Sequence, residues 1–533
     1  MLQLLLVLKC ENALHLCNGE QIQIYMVESV SKKYKKEVAF LEQIVKELIE
    51  QKNIRSNLSS LRQQIKDESK KTYLKELVEG KEALFIGFLK HEDAKTRKNA
   101  ALLLGDIKCQ CAMEALYEAY QNEQTRFVKS SYLQALTELD VAEKLPDFRD
   151  ILAELLEIEP EPESKKHIEE EIRALRKILI QNEGITHHTL DVKGKEVSVI
   201  LLTNRTQRET VRRMIDCGDA TVHPLGVLVK TKELHKLMQL RPYRELVFPL
   251  LDKGFLEAEP VKAAQGVWNA GILELLNRVH KEAGSFYFRI ECKSAMSLEE
   301  RSAFTRKFAS ELERLSKGEL VNSTSDYEVE IRLIANKDGA FFPCLKLSTI
   351  ADKRFSYRKN VIAASIQPST AALIMELSKD YLKENAQIMD PFCGVGTMLI
   401  ERHRKVPARE IYGTDIFGDA ITYARENTEL AGVKANYIHR DFMDFKHAYA
   451  FDEIVTNMPL RGKKTKQEMD DFYGAFFTKA KEILAEEAVL ILYSNEVGFV
   501  KKQLRLHQEY TLLQETCLQP KNDFYLLIIG YKG

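Results

Sequence analysis

The stretch IMDPFCGVGTMLIE, residues 388–401, runs from an apolar pair into Asp390-Pro391, passes Gly394 and Gly396, and enters a helical pattern. A strand that ends on an acid and turns through glycines into a helix is the opening unit of a doubly wound α/β sheet. Such a sheet binds its ligand at the carboxyl ends of its strands. Outward from this unit the same alternation continues through QIMD, EIYGTD, ANYIHRD, FDEIVTN and AVLILYS, with helical stretches between. It predicts a parallel sheet covered on both faces. The last two strands, YTLLQETCL and DFYLLIIGYK, are separated by a short Pro-Lys-Asn-Asp turn and predict an antiparallel hairpin at one edge.

The strand ends carry Asp390, Asp415, Asp441 and Asn457. Without side chains, Gly394 and Gly396 let a ligand reach backbone N–H groups where the helix starts near Thr397. The loop has neither the longer G-x-G-x-x-G of dinucleotide sites nor the G-K-S/T of phosphate loops. Asp415, 25 residues beyond Asp390, is placed to accept both ribose hydroxyls of an adenosine-containing ligand. Asp441 is a candidate acceptor for an adenine amino group, with Phe442 as a flat apolar contact. Taken singly, each acid serves equally well as a turn former or helix cap. TNMPLRG, residues 456–462, adds an Asn and a Pro one residue apart on the same crevice. An exocyclic amine on a base has its lone pair delocalised into the ring. The Asn457 side-chain oxygen and the backbone carbonyl of Met458 or Pro459 can hold it for attack on an electrophilic methyl group. Positioning and a polar environment supply most of the acceleration, without a strong base.

With SIQPSTAA before it and TNMPLRG after it, DPFCGVGT resembles the RNA methylase family associated with THUMP domains, which includes tRNA and 23S rRNA guanine-N2 methyltransferases. The resemblance covers residues 355 to 533. It implies a Rossmann-like class I methyltransferase with S-adenosyl-L-methionine held by Asp390, Phe392, Cys393, Gly394, Gly396, Thr397, Asp415, Asp441 and Phe442. Asn457 and Pro459 would present a guanine amino group of structured RNA, tRNA or rRNA. The segment departs from the family at Leu460, where members carry an aromatic ring that stacks on the target base. Phe472 or Tyr473 is the candidate replacement.

The remaining sequence predicts a multidomain α and α/β chain: helical repeats over 1–180, an α/β RNA-positioning region over 181–350, and the methyltransferase over 351–533. TRKNAALLL (96–104) and VKSSYLQAL (128–136) match at an offset of 32, each preceded by an apolar helix and a polar turn. This pattern is similar to HEAT repeats, whose helix pairs bury their apolar faces by stacking, and IRALRKIL reads as a third copy. Such surfaces commonly take a protein partner. In the middle region, FYFRIEC, LEERSAFTRKFASELERL and YEVEIRLIANKDGAFFPCLKL form a β-α-β-β unit of ferredoxin-like type, with a faint likeness to THUMP. VWNAGILELLNRVHKEAG reads as one longer helix, and TKELHKLMQL as another.

With 78 Lys and Arg against 79 Asp and Glu, the chain does not advertise a nucleic-acid binder by net charge, although balance can hide a basic patch. Two local runs are basic: KRFSYRK, with Lys353, Arg354 and Arg358, and RGKKTK, with Arg461, Lys463, Lys464 and Lys466. RGKKTK, directly after the acceptor motif, suits phosphates flanking a target nucleotide, and both runs are candidate RNA contacts. The nine cysteines form no paired C-x-x-C set, so neither zinc nor a disulfide framework is indicated, and a cytoplasmic setting fits. His187-His188 reads as a surface turn rather than a metal site. MLQLLLVL is too short to span a bilayer and reads as a buried strand or an upstream extension. The expectation is an S-adenosylmethionine-dependent RNA methyltransferase acting on guanine N2, with no metal and no membrane. The rivals are amino methylation of DNA adenine or protein glutamine, and a catalytically silent binding protein.

Overall fold

A computed structural model describes residues 38–158, 161–184, 187–282, 284–363 and 365–533. MLQLLLVL lies outside the described residues. The chain divides into two compact units, Met1–Thr186 and His187–Gly533. The sequence boundary at 180 falls close to that division, whereas the one at 350 falls inside the second unit.

The first unit is helical: α1 (Ile54–Gln64), α2 (Glu68–Val78), α3 (Glu82–Gly87), α4 (Ala94–Asp106), α5 (Met113–Asn122), α6 (Arg126–Leu136), α7 (Leu145–Glu157) and α8 (Pro162–Glu183). Helices α1, α4, α6 and α8 stack side by side in that order. The two matched segments are α4 and α6, each preceded by its apolar partner, α3 or α5, and IRALRKIL lies in α8. Helix α1, within the span read as helical, extends the row upstream; its polar sequence IRSNLSSLRQQ shows no match to the repeat. Helices α4 and α6 approach at Gly105, where a Cβ would come within 2.5 Å of the Ala135 Cα. Arg97 of α4 donates to both oxygens of Glu123 at 2.8 Å. Burial alone would raise the Glu123 carboxyl, but Arg97, the Thr125 N–H and the Tyr132 hydroxyl outweigh it and hold it at about 2.

The second unit holds two sheets. The first contains β1 (Val197–Leu202), β2 (Asp219–His223), β3 (Gly226–Thr231), β4 (Glu245–Pro249), β5 (Phe286–Lys293), β6 (Leu320–Asn322), β7 (Val329–Ala335) and β8 (Phe341–Leu347), in the order β2-β3-β1-β4-β8-β7-β5-β6. Among its helices, α9 (Arg208–Arg213) and α10 (Leu234–Leu237) are short, so TKELHKLMQL gives only one turn. The segment read as one long helix is two, α11 (Pro260–Asn269) and α12 (Ile272–Val279), broken at Gly271, which has φ +75°. The β-α-β-β unit is present: β5 leads through α13 (Leu298–Leu315) to β7, parallel to β5, and β8 returns antiparallel. His188 is buried rather than on a surface turn. Its ring Nδ1 lies 2.7 Å from Glu328 Oε1 and its N–H donates to Oε2 at 2.8 Å, a partner 140 residues away.

The second sheet contains β9 (Gln387–Asp390), β10 (Glu410–Asp415), β11 (Asn436–His439), β12 (Phe451–Asn457), β13 (Leu484–Ser494), β14 (Tyr510–Gln519) and β15 (Phe524–Lys532), in the order β11-β10-β9-β12-β13-β15-β14. The first five are parallel, and β15 runs antiparallel between β13 and β14, forming the hairpin the turn predicts. This is the Rossmann-like arrangement of class I methyltransferases. Helices α14 (Pro368–Leu377), α15 (Thr397–Lys405), α16 (Gly418–Leu430), α17 (Lys466–Lys481) and α18 (Val497–Leu506) accompany the sheet. The two sheets share one apolar core, in which Phe288 and Leu333 join Ile374, Met398 and Ile491. Strand order reverses between β9 and β12, which opens a crevice at their carboxyl ends.

Candidate functional site

The loop from β9 to α15 is shaped by its glycines in two different ways. Gly394, at φ +51°, faces open space: a Cβ there would meet only the Ile362 Cδ1, at 3.8 Å. Gly396, at φ +82°, backs onto Tyr437, whose hydroxyl would lie 2.5 Å from an added Cβ. Only the first leaves room for a ligand to approach the backbone; the second lets the loop pack. Asn427, buried in α16, secures the loop by donating to the carbonyls of Val395 at 3.2 Å and Asn360 at 3.0 Å. Sequence reading missed it. An Asn within a helix, where its side chain competes with the backbone, was the available signal.

Asp390 closes β9 and is 1% exposed, with its Oδ1 accepting from the Phe392 N–H at 3.0 Å. Burial, with a contribution from the Asp415 charge, pushes its carboxyl up to about 7 against the hydrogen bonds that favour ionisation. Asp415, half-buried at the end of β10, accepts from the Gly394 N–H through Oδ2 and the Phe417 N–H through Oδ1, both at 2.9 Å. A carboxylate has lone pairs to spare after two such bonds. Asp441 is exposed and accepts from the Met443 N–H at 2.9 Å, capping a short 3-10 turn.

Several expected contacts lie elsewhere. Phe442 is 1% exposed and packs with Phe392 and Phe476 beneath the loop, because the capped turn directs it inward. The exposed apolar side chains near the strand ends are instead Ile416 and Phe417, 57% and 63% exposed directly after Asp415. An apolar pair following a strand-end acid was the missed signal. Cys393 is buried among Ile388, Leu399, Ile411 and Tyr437, and burial pushes its thiol well above the usual range. It fills the loop's interior. Thr397 begins α15 with a buried hydroxyl that has no hydrogen-bond partner among the described residues.

Across the crevice, β12 ends at Asn457, whose half-buried carboxamide has no partner among the described residues. The Met458 N–H donates to the Tyr493 carbonyl at 2.9 Å, which fixes the chain entering Pro459. Leu460 is 52% exposed. Of the two candidate rings, Tyr473 is buried with its hydroxyl 2.8 Å from Ser494 Oγ, so its faces are occupied by core. Phe472 is half-buried, 5.5 Å from the Phe392 ring, with the Lys464 ammonium 4.9 Å from its own centroid.

The two basic runs differ. Arg461, Lys463, Lys464 and Lys466 are all exposed in the loop before and into α17. In KRFSYRK, Lys353 is exposed, but Arg354 is 7% exposed and donates to Asp352 and to the carbonyls of Leu240, Tyr243 and Arg244. Arg358 is half-buried and donates to the Ile366 carbonyl at 3.1 Å. These two arginines bind protein groups rather than face solvent. Next to them, Arg241 pairs with Glu401 at 2.8 and 2.6 Å, and the Tyr357 hydroxyl donates to the same carboxylate. The segment therefore straps the two sheets together. Among the described residues no His, Cys, Asp and Glu group is arranged to hold a metal, and no helix is long and apolar enough to cross a membrane.

Comparison with known proteins gives this geometry a family. Residues 356–509 match the family model described as RMKL-like, methyltransferase domain. A tRNA (guanine(10)-N2)-dimethyltransferase of Methanothermobacter thermautotrophicus is 25% identical over 155 residues, 28% of this chain and 45% of that protein. A release factor glutamine methyltransferase of Lactococcus lactis is 26% identical over 166 residues, 31% of this chain and 55% of that protein. The matched segments span about half, or less, of the curated relatives' own length. Among solved structures, TrmN from Thermus thermophilus aligns with a TM-score of 0.48 and 18% identity over 63% of this chain and 99% of that one. The open cradle at Gly394, the orphan hydroxyl of Thr397 and the spare acceptors of Asp415 fit the cofactor such a domain uses. Residues 356–509 thus match the RMKL-like methyltransferase domain family, and the cofactor of this domain is S-adenosyl-L-methionine.

Proposed function

We propose that the chain methylates an exocyclic amino group of a nucleobase in structured RNA, with guanine N2 in tRNA or rRNA as the acceptor. The observation that carries this reading is Asn457: a carboxamide without a partner among the described residues, at the carboxyl end of a central strand, opposite the Asp390–Thr397 loop. S-adenosyl-L-methionine supplies an electrophilic methyl group when bound. Gly394 leaves space for it, Asp390 would hold its methionine end, and Asp415 would accept from the ribose. Ile416 and Phe417 offer an apolar flank for adenine beside Asp441. The Asn457 oxygen accepts one N–H of the target amine and the carbonyl of Met458 or Pro459 the other. This orients the nitrogen lone pair without a strong base.

Phe472 supports base capture in place of the aromatic ring absent at 460, since Tyr473 is enclosed. Exposed Arg461, Lys463, Lys464 and Lys466 border the acceptor motif, where flanking phosphates would lie. The guanine-N2 relative supports this acceptor as much as the glutamine methyltransferase relative supports its own, and the basic loop favours RNA as the carrier of the amine. The direct test is to incubate the full chain with labelled S-adenosyl-L-methionine and total RNA, then analyse nucleosides by mass spectrometry. N2-methylguanosine is expected. Label in adenine of DNA or in a release factor would transfer the reading to the rivals, and no transfer to any substrate would favour a silent binding protein.

A further inference from the structure

Among the described residues of the first unit, a groove of about 1010 Å³ lies beside the amino-terminal turns of α1 and α4. Three cations line it: Arg55 and Lys95, both exposed, and Lys98, half-buried. No side chain of the three forms a hydrogen bond or short ion pair with the protein among the described residues, and the Arg55 charge acts only at longer range, on the Asp93 carboxylate. The one lining carboxylate, Asp93, is engaged in capping α4, accepting from the Thr96 N–H at 2.9 Å and the Thr96 hydroxyl at 2.7 Å. Its lining is otherwise rich in neutral hydrogen-bonding side chains, including Asn53, Ser56, Ser59 and Asn99. Phe127 forms one wall, with the Lys98 ammonium 6.0 Å from its centroid.

We infer that this groove is a second RNA contact that grips the phosphodiester backbone of the substrate away from the methylated base. Unpaired Lys and Arg interleaved with Ser and Asn are the side chains that hold phosphate and sugar oxygens. A single aromatic wall beside a lysine suits the face of an unpaired base. A peptide partner would want a desolvated apolar pocket for anchoring side chains, and the groove has one phenyl ring, Phe127, and one aliphatic side chain, Ile54, among its polar lining. The inference rests on RNA being the substrate class proposed above. It adds a site that neither the methyltransferase motif nor the basic loop at 461–466 contains.

The test uses the full chain, bulk tRNA and filter binding across a salt series, comparing native protein with the triple variant Arg55→Gln, Lys95→Gln, Lys98→Gln. RNA affinity should fall at least tenfold at low salt, and the slope of log affinity against log salt should drop by about two units, since each lost phosphate contact removes roughly 0.7–0.9. S-adenosyl-L-methionine affinity should stay unchanged, and an unchanged helical circular-dichroism signal and thermal transition of the first unit report that the variant is folded. Lys98→Glu alone should weaken RNA binding in the same direction. An affinity within twofold of native in both variants overturns the inference, as does a groove that loses poly-L-glutamate binding while tRNA binding is intact. If the chain binds tRNA through these cations yet methylates no RNA, the methylation reading fails and the groove stands. If methylation proceeds with a KM for RNA that the triple variant leaves unchanged, the groove fails and the methylation reading stands.

Discussion

Asp390 is the residue at which burial and chemistry meet. Burial lifts its carboxyl from the usual range to about 7, so without ligand it is protonated below that pH and ionised above it. A ligand ammonium stabilises the ionised form, so binding in the acid range must first remove a proton. Cofactor affinity is therefore expected to fall as pH drops through 7, by up to tenfold per unit, and Asp390→Asn should bind weakly with little pH dependence. The sign for folding is opposite: a raised carboxyl pKa means the native state holds the proton longer, so stability contributed by protonated Asp390 is lost as pH rises from about 4 to 7. Calorimetric titration between pH 5.5 and 8 checks this, and a flat affinity profile would remove Asp390 from the cofactor contact. Asn457 should separate binding from transfer. Asn457→Ala deletes an oriented acceptor, so methyl transfer should drop about a hundredfold or more while cofactor affinity holds; transfer at full rate would defeat the acceptor role. The strand-end acids were legible in the sequence because a doubly wound sheet must present them. The inward direction of Phe442 was not, since it follows from an Asp441 cap that only the folded turn displays.

At the scale of the element, the loop joining β9 to α15 makes one motif perform two jobs, and its two glycines can be told apart. Gly396→Ala places a Cβ 2.5 Å from the Tyr437 hydroxyl in a left-handed backbone, so it should cost stability, about 1–3 kcal/mol. Gly394→Ala meets open space within the protein and should cost only about 1–2 kcal/mol for its left-handed backbone, yet intrude on the cofactor. Thermal unfolding and calorimetric titration should therefore rank the variants in opposite orders; the same ranking by both measurements would deny the glycines separate roles. The alternation of strands and helices from 387 onward was readable because each element carries its own periodicity. Elements whose form depends on distant partners were not: Gly271 splits an apparently continuous helix, His188 is buried by Glu328, and Arg354 is claimed by carbonyls more than a hundred residues away. Basic composition alone made KRFSYRK look like an RNA surface, whereas in the fold Arg354 is held by the carbonyls of Leu240, Tyr243 and Arg244 and Arg358 by the carbonyl of Ile366.

Across the whole molecule, the apolar cores sort by unit. The cluster running from Leu41 to Ile178 belongs wholly to the first unit, and every other buried cluster lies beyond residue 196. Within the second unit, by contrast, the core runs through both sheets, and Arg402 and Glu453 form an ion pair with both side chains fully buried, at 2.6 Å. Cutting between those sheets, at the boundary the sequence placed at 350, would expose shared core; cutting at 186 would not divide any of these clusters. The expected outcome is that His187–Gly533 expressed alone folds and binds S-adenosyl-L-methionine with the affinity of the full chain, while a fragment starting at 351 aggregates. In calorimetry of the full chain the helical unit and the two-sheet unit should unfold as separate transitions. Cofactor at a hundred times its Kd should stabilise only the second, by about 2.7 kcal/mol. A single transition that moves with cofactor, or a fragment from 351 that folds and binds as well as the longer one, would show that the cores are not the units of stability. The fragment from 187 also isolates the helical unit's part in function: it should keep the cofactor site intact and lose the RNA affinity carried by Arg55, Lys95 and Lys98.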